Sequence, residues 1–224
     1  MKPFGMKNND SSVVVIGLGR FGSALADELE RSGVEVLAID NDPAVVERYS
    51  EELANVICAD GTDEEALTQL SVPDFTTAVV SINRDLAASV LCASILLKMG
   101  GIKVWAEADS LAQGQIFDQL GVHHVFYPQA EMGRRAAHVI SQDLVDYMEL
   151  GYGFALVQTL APKILVGRSL GESHLRREKG ITVLAVRSSE GEWVNAHDET
   201  RVSADDVLLI VGPRAGIGRL LAAS

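Results

Sequence analysis

The chain is 224 residues long, with 47% hydrophobic and 22% charged residues, the balance of a folded globular protein and not of a disordered one. That length holds one large domain or two small ones. A formal net charge of −12 opposes a polyphosphate backbone, so nucleic acid is excluded as an expected partner.

Met1 to Ser12 is polar and lacks the apolar stretch of an export signal, which predicts a cytoplasmic location. The longest apolar run, Leu86 to Met99 (LAASVLCASILLKM), is shorter than the roughly 20 residues a membrane helix needs. A membrane role would therefore be peripheral. Cys58 and Cys92, at an apolar strand end and in an apolar helix, read as two buried thiols of the core rather than a bridge.

Val13 to Ile16 is an apolar run suited to a strand buried on both faces, and GLGRFG (Gly17 to Gly22) comes immediately after it. SALADELERSG then places Leu25 and Leu29 one helical turn apart and stops at Gly33. Val34 to Ile39 predicts the next strand, which closes on Asp40. The alternation continues with strand Val56–Ala59, helix Asp63–Leu70, strand Ala78–Ile82, helix Asp85–Met99, strand Val104–Ala106, helix Leu111–Leu120 and strand His124–Phe126. This is the pattern of an α/β fold with a Rossmann-like, doubly wound parallel sheet. From Glu131 to Leu150, Met132, Ala136, Val139, Ile140, Leu144 and Met148 recur at helical spacing and predict one long amphipathic helix.

Gly151 and Gly153 break that helix and place the domain boundary there: residues 12–150 form the first domain and 151–224 the second. The second offers short strands (Phe154–Leu160, Ile181–Arg187, Val207–Val211), turns at Ser188–Gly191 and Asp205-Asp206, and helices near Ser169–Glu178 and Arg214–Ala222. It is a small α+β module. A core of that size is marginal, so pairing with a second copy is expected.

GLGRFG matches G-x-G-x-x-G: Gly17 for the tight strand exit, Gly19 for close approach of a pyrophosphate, Gly22 for helix packing. Asp40, eighteen positions beyond Gly22, suits the ribose hydroxyls, and with Asp42 it would repel a 2′-phosphate. Asp60, Gly61 and Thr62 come after the third strand on the adenine side of the crevice, although Thr62 and Asp63 also suit a helix cap. Arg20, inside the turn, is placed for charge-assisted bonds to terminal phosphates of its own or a paired subunit.

GLGRFG, EVLAID, ADGTDEEAL, SINRDLAAS and FYPQAEMGRRAA, in this order, resemble the cytoplasmic nucleotide-gating subunits of bacterial potassium uptake systems, the KtrA/TrkA family of RCK proteins. GRSLGES, LRREKGITVLAVR and DDVLLIVG look like that family's small C-terminal subdomain. The resemblance implies a nucleotide-binding domain that dimerises through the long helix and assembles into a homo-oligomeric ring, an octamer, at the inner face of the membrane. There it would gate a separate Ktr- or Trk-type potassium-translocating subunit. It implies ATP or ADP as ligand, with NAD or AMP as alternatives. The implied contacts are Gly17, Leu18, Gly19, Arg20, Phe21 and Gly22, then Asp40 and Asn41, Asp60 to Thr62, Asn83 and Arg84 of SINRD, and Glu107.

Two positions depart from that family's pattern. Ala106-Glu107-Ala108 stands where relatives carry a basic residue, and Tyr127-Pro128-Gln129 stands where ATP-binding members have a His-Pro-Glu that helps hold a cation. Either Glu107 supplies the missing carboxylate to a divalent cation beside the phosphates, or it is a solvated strand-end acid and triphosphate binds weakly, leaving AMP, ADP or NAD. Some relatives bind cyclic di-AMP in the second domain, and Arg187 matches a position that can meet its phosphates; read alone, it is a solvated strand-end arginine. No zinc spacing, nucleophile elbow or Walker lysine is found in the sequence, which argues for a binding protein and not an enzyme. An NAD-dependent oxidoreductase, which shares the glycine turn and ribose acid, is the alternative.

Overall fold

A computed structural model describes residues 11–188 and 191–222. Most of the polar N-terminal stretch and the middle of the Ser188–Gly191 turn lie outside the described residues. Contacts between Cα atoms divide the chain into two compact units, Met1–Ala130 and Glu131–Ser224.

The first unit runs β1 (Ser12–Ile16), α1 (Arg20–Arg31), β2 (Glu35–Asp40), α2 (Pro43–Tyr49), β3 (Val56–Cys58), α3 (Glu64–Gln69), a 3-10 turn at Val72–Asp74, β4 (Thr77–Val80), α4 (Leu86–Met99), β5 (Lys103–Glu107), α5 (Leu111–Leu120), β6 (His124–Phe126) and the start of α6 (Pro128–Gln142). Its six strands pair in the order β3-β2-β1-β4-β5-β6, all parallel. The chain order therefore reverses between β1 and β4, the point beyond whose carboxyl ends doubly wound sheets bind their ligands.

Local chemistry sets the helix starts. Asp42, Asp63, Asp85 and Ser110 each accept a backbone N–H of the next helix, as N-cap residues do. The apolar runs of β1 and β4 are buried because helices cover both faces of a parallel sheet. One face packs Val14, Ile16, Leu37, Ile39, Val80 and Val104 against Leu67, Cys92, Leu96 and Phe117. The other packs Val13, Val15, Val36 and Ala38 against Ala26 and Leu53.

The second unit holds the rest of α6, β7 (Asp146–Gly151), β8 (Phe154–Leu160), α7 (Leu170–Ser173), α8 (Leu175–Lys179), β9 (Thr182–Arg187), β10 (Trp193–Asn195), β11 (Val207–Pro213) and α9 (Arg214–Ala222). Its sheet, β10-β9-β11-β8-β7, is antiparallel throughout. Leu208, Ile210, Ala155 and Val157 form a separate core with Leu165, Ile181, Ile217 and Leu220.

Here the structure corrects the long helix. It ends at Gln142: Asp143 takes a left-handed conformation (φ 51°), the Leu144 N–H bonds Val139 O at 3.0 Å, and Asp146–Gly151 becomes a strand. The expected boundary moves with it. Gly151 (φ 86°) and Gly153 (φ 77°) turn the β7–β8 hairpin inside the second unit instead of separating two domains. The helix expected at Ser169–Glu178 is two, divided at His174 (φ 49°). Cys92 is buried as expected, but Cys58 is exposed at the end of an edge strand.

Candidate functional site

The glycine turn lies against the end of β4. Gly17 has φ +100°, and a Cβ there would sit 2.3 Å from the Ser81 carbonyl oxygen. A Cβ on Gly22 would sit 2.0 Å from Gly17 O and 3.1 Å from Ser81 Cβ. These two glycines are needed for packing. Gly19 differs: its φ of −66° suits any residue, and a Cβ would meet nothing within 4 Å. Its missing side chain keeps the mouth of the turn open. As N-cap of α1 it supplies no side-chain cap, and no acidic residue stands in the first turn, so the first amides and the helix dipole suit an anion.

Asp40 ties this turn to the second strand. Its Oδ2 accepts the Leu18 N–H at 2.7 Å and its Oδ1 accepts the Asp42 N–H at 2.9 Å. Each oxygen keeps a further lone pair for a ribose hydroxyl. Leu18 thus contributes its backbone, while its side chain is buried in the core. Asn41 is exposed beside Asp40, and its carbonyl accepts the Cys58 thiol at 3.9 Å. Arg20 is exposed and makes no ion pair among the described residues. Phe21 is half-buried with its ring 5.5 Å from that of Phe126, so it packs toward β6.

At the end of β3, Asp60 Oδ1 accepts the Thr62 N–H at 2.8 Å and the Thr62 hydroxyl at 2.7 Å. Those two bonds, the backbone one foremost, hold its carboxyl below the usual range. Asp63, not Thr62, caps the next helix. Gly61 is buried, and a Cβ there would lie 2.5 Å from Ile16 Cγ2. Beneath it, burial and the nearby Asp60 charge push the Cys92 thiol up to about 12.

On the opposite side of the turn, β4 and β5 pair in register at Val80 and Ala106, which brings Ser81 and Asn83 to Glu107. Glu107 is 1% exposed, so the solvated strand-end reading is wrong. Its Oε2 accepts the Ser81 hydroxyl at 2.5 Å, and its Oε1 accepts Asn83 Nδ2 at 2.9 Å and Gln129 Nε2 at 3.4 Å. The Asn83 and Gln129 amide groups that face the carboxylate are donors, which a cation would have to displace. Among the described residues no group of three His, Cys, Asp or Glu side chains could hold a metal ion. These residues do not fit a protein-built divalent site. Arg84 is exposed and stays outside this network.

The turn, Asp40, Asn41 and the Asp60–Thr62 loop follow the carboxyl ends of β1, β2 and β3. Ser81 was not anticipated; a small polar residue at the strand end ahead of Asn83 was the only hint. In the second unit Arg187 is half-buried, its guanidinium 5.5 Å from the ring centre of Trp193, its register partner on β10.

A six-stranded parallel sheet with a glycine turn and a ribose-type acid, joined to a small antiparallel unit, defines a class. The chain belongs to the TrkA family: the TrkA-N domain matches residues 13–128 and the TrkA-C domain residues 155–223. Over 92% of its length it is 30% identical to the Ktr system potassium uptake protein C of Bacillus subtilis, covering 93% of that protein. It is 32% identical to the Ktr system potassium uptake protein A of Vibrio alginolyticus, over 93% of this chain and 96% of the relative. Among solved structures it resembles the GsuK channel bound to NAD, with a TM-score of 0.65 at 13% identity, covering 96% of this chain but only 40% of that one.

Proposed function

We propose that the chain is the adenine-nucleotide-binding regulatory subunit of a potassium uptake system, gating ion flux through a separate Ktr- or Trk-type membrane subunit. The observation that carries this is the join of the open α1 N-terminus at Gly19 to Asp40 through the Leu18 amide, in a relative of Ktr proteins along nearly its whole length. Phosphates would meet the α1 amides and Arg20, ribose hydroxyls Asp40, and adenine the loop Asp60–Thr62. No helix among the described residues is long and apolar enough to cross a membrane; in this reading the pore belongs to the partner, with this chain docked at the inner face.

Gating needs a ligand that contacts two arrangements unequally. Arg20, without an ion pair at the mouth of the turn, is placed to report the phosphate end, its own or a neighbouring copy's. The exposed Met132 and Ile140 of α6 support a homodimer through that helix, repeated into a ring. The role is one of binding, not catalysis. Cyclic di-AMP is the second effector in this reading, with Arg187 toward its phosphates; an unchanged melting temperature with that ligand removes it.

The test is potassium flux through the cognate membrane subunit in vesicles. Arg20→Ala should abolish nucleotide-dependent changes in flux while the far-ultraviolet circular dichroism stays as in the wild type. Unchanged gating refutes the role of Arg20, and failure of any adenine nucleotide to bind the wild-type chain refutes the whole reading.

A further inference from the structure

The half of the site beyond the phosphate turn is built around a buried acidic side chain. Glu107 is 1% exposed, and no Arg, Lys or His is paired with it among the described residues. Its neighbours Asn83 Nδ2 and Gln129 Nε2 donate to Oε1 and the Ser81 hydroxyl donates to Oε2, so three donors converge on an acidic side chain. The carboxyl group is also close to the turn. Ser81, whose hydroxyl is bonded to Glu107, is the residue whose carbonyl crowds Gly17 and whose side chain crowds Gly22.

A second observation points the same way. Asn83 Oδ1 is buried and has no hydrogen-bond partner among the described residues. An acceptor left in that state calls for a donor. A ribose hydroxyl or a carboxamide can donate to it; an ionised phosphate oxygen cannot. In a doubly wound sheet the second nucleoside of a dinucleotide lies over this half, β4 to β6, whereas the terminal phosphates of a triphosphate would bring more negative charge to the same side.

We propose that Glu107 is a specificity-determining residue that turns this half of the crevice against a terminal phosphate and toward an uncharged or cationic group bearing hydrogen-bond donors. The chain then selects an adenine dinucleotide of the NAD type over a nucleoside triphosphate, reversing the order that its family resemblance suggests. The inference rests on the adenine-nucleotide reading and refines it. Asp40 holds the first nucleoside, the α1 amides hold the pyrophosphate, and the Glu107–Asn83 wall discriminates among the groups attached beyond it. Glu107 acts from beneath the surface, through its field and through the orientation it imposes on Ser81 and Asn83.

Calorimetric titration of the full chain with NAD, ADP and ATP, with and without magnesium, tests this. The wild type should bind NAD at least tenfold more tightly than ATP. Glu107→Gln keeps the size of the side chain and removes its charge, and should narrow that ratio at least tenfold, mainly by strengthening ATP. Asn83→Ala removes the unpartnered acceptor without adding charge and should narrow the ratio by weakening NAD more than ATP, which decides the matter if Glu107→Gln does not fold. A wild type that binds ATP as tightly as NAD overturns the proposal, as does a ratio unmoved in a folded variant. Failure of every nucleotide to bind the wild type overturns the adenine-nucleotide reading itself.

Discussion

The two sheets of this chain handle apolar surface in opposite ways. No strand of the parallel sheet carries an exposed large hydrophobic residue, whereas the antiparallel sheet exposes Met148, Leu150, Phe154, Leu160, Leu184, Trp193 and Val194. Helical crossovers cover both faces of the first sheet, while hairpin connections leave a face of the second uncovered. The strands of the first sheet are thereby enclosed, and the large apolar side chains this unit does expose (Leu86, Leu91, Leu111, Ile116 and Leu120) lie on its helices α4 and α5. The second carries surface suited to another protein surface. Perturbing the first unit should therefore damage folding and the site together, and perturbing the second should damage assembly first.

The largest effect is expected at Gly22. A methyl group there meets the backbone carbonyl oxygen of Gly17 at 2.0 Å, and that turn cannot yield without pressing on Ser81 at the end of β4. Gly22→Ala should cost about 3 kcal/mol, the upper part of the usual range for overpacking, and should abolish nucleotide binding. Urea unfolding monitored by fluorescence measures the first, and calorimetry the second. A variant as stable as the wild type would show that the turn is looser than its packing implies.

This turn was legible in the sequence because everything it needs is local: strand, glycines, helix and acid lie within Val13 to Asp40. The Glu107 wall was not. Ser81 and Asn83 are separated from Glu107 by more than twenty residues and meet it only through the β4–β5 register, so the residue was noticed while its burial was not. Short elements without a buried stripe were also missed. Helix α2 buries no residue, and only Asp42-Pro43, an N-cap with a proline next to it in the first turn, marked its start. The error at β7 has a similar origin: Leu144 and Met148 fit helical spacing, but a left-handed Asp143 stops the helix and the chain pairs with β8 instead.

A smaller effect should separate assembly from folding. Ile140 on α6 is 80% exposed, so charge there disturbs no core. Ile140→Glu should leave stability within about 0.5 kcal/mol of the wild type and weaken self-association at least tenfold in sedimentation equilibrium. An unchanged association constant would move the copy-to-copy contact away from α6 and toward the exposed strands of the second sheet.

The smallest effect belongs to the ion pair that holds the corrected strand to its helix. Arg135 Nε and Nη2 donate to the two Asp146 oxygens at 2.7 and 2.6 Å, joining α6 to the first residue of β7. The bonds from Arg135 hold the Asp146 carboxyl below its usual range and raise the Arg135 guanidinium, two directions that agree. A depressed carboxylate stabilises the fold above its unfolded value and loses that contribution as pH falls through the folded one. The loss should therefore fall below about pH 4. With the side chains 47% and 33% exposed, solvent screens the pair, and its worth is under about 1 kcal/mol. Asp146→Asn should lower the melting temperature slightly at pH 7 and leave it unchanged from the wild type well below the folded value. A difference that persists at that low pH would mean that the exchange acts through something other than the carboxylate charge, since the Oδ1 of an asparagine still accepts the Tyr147 N–H.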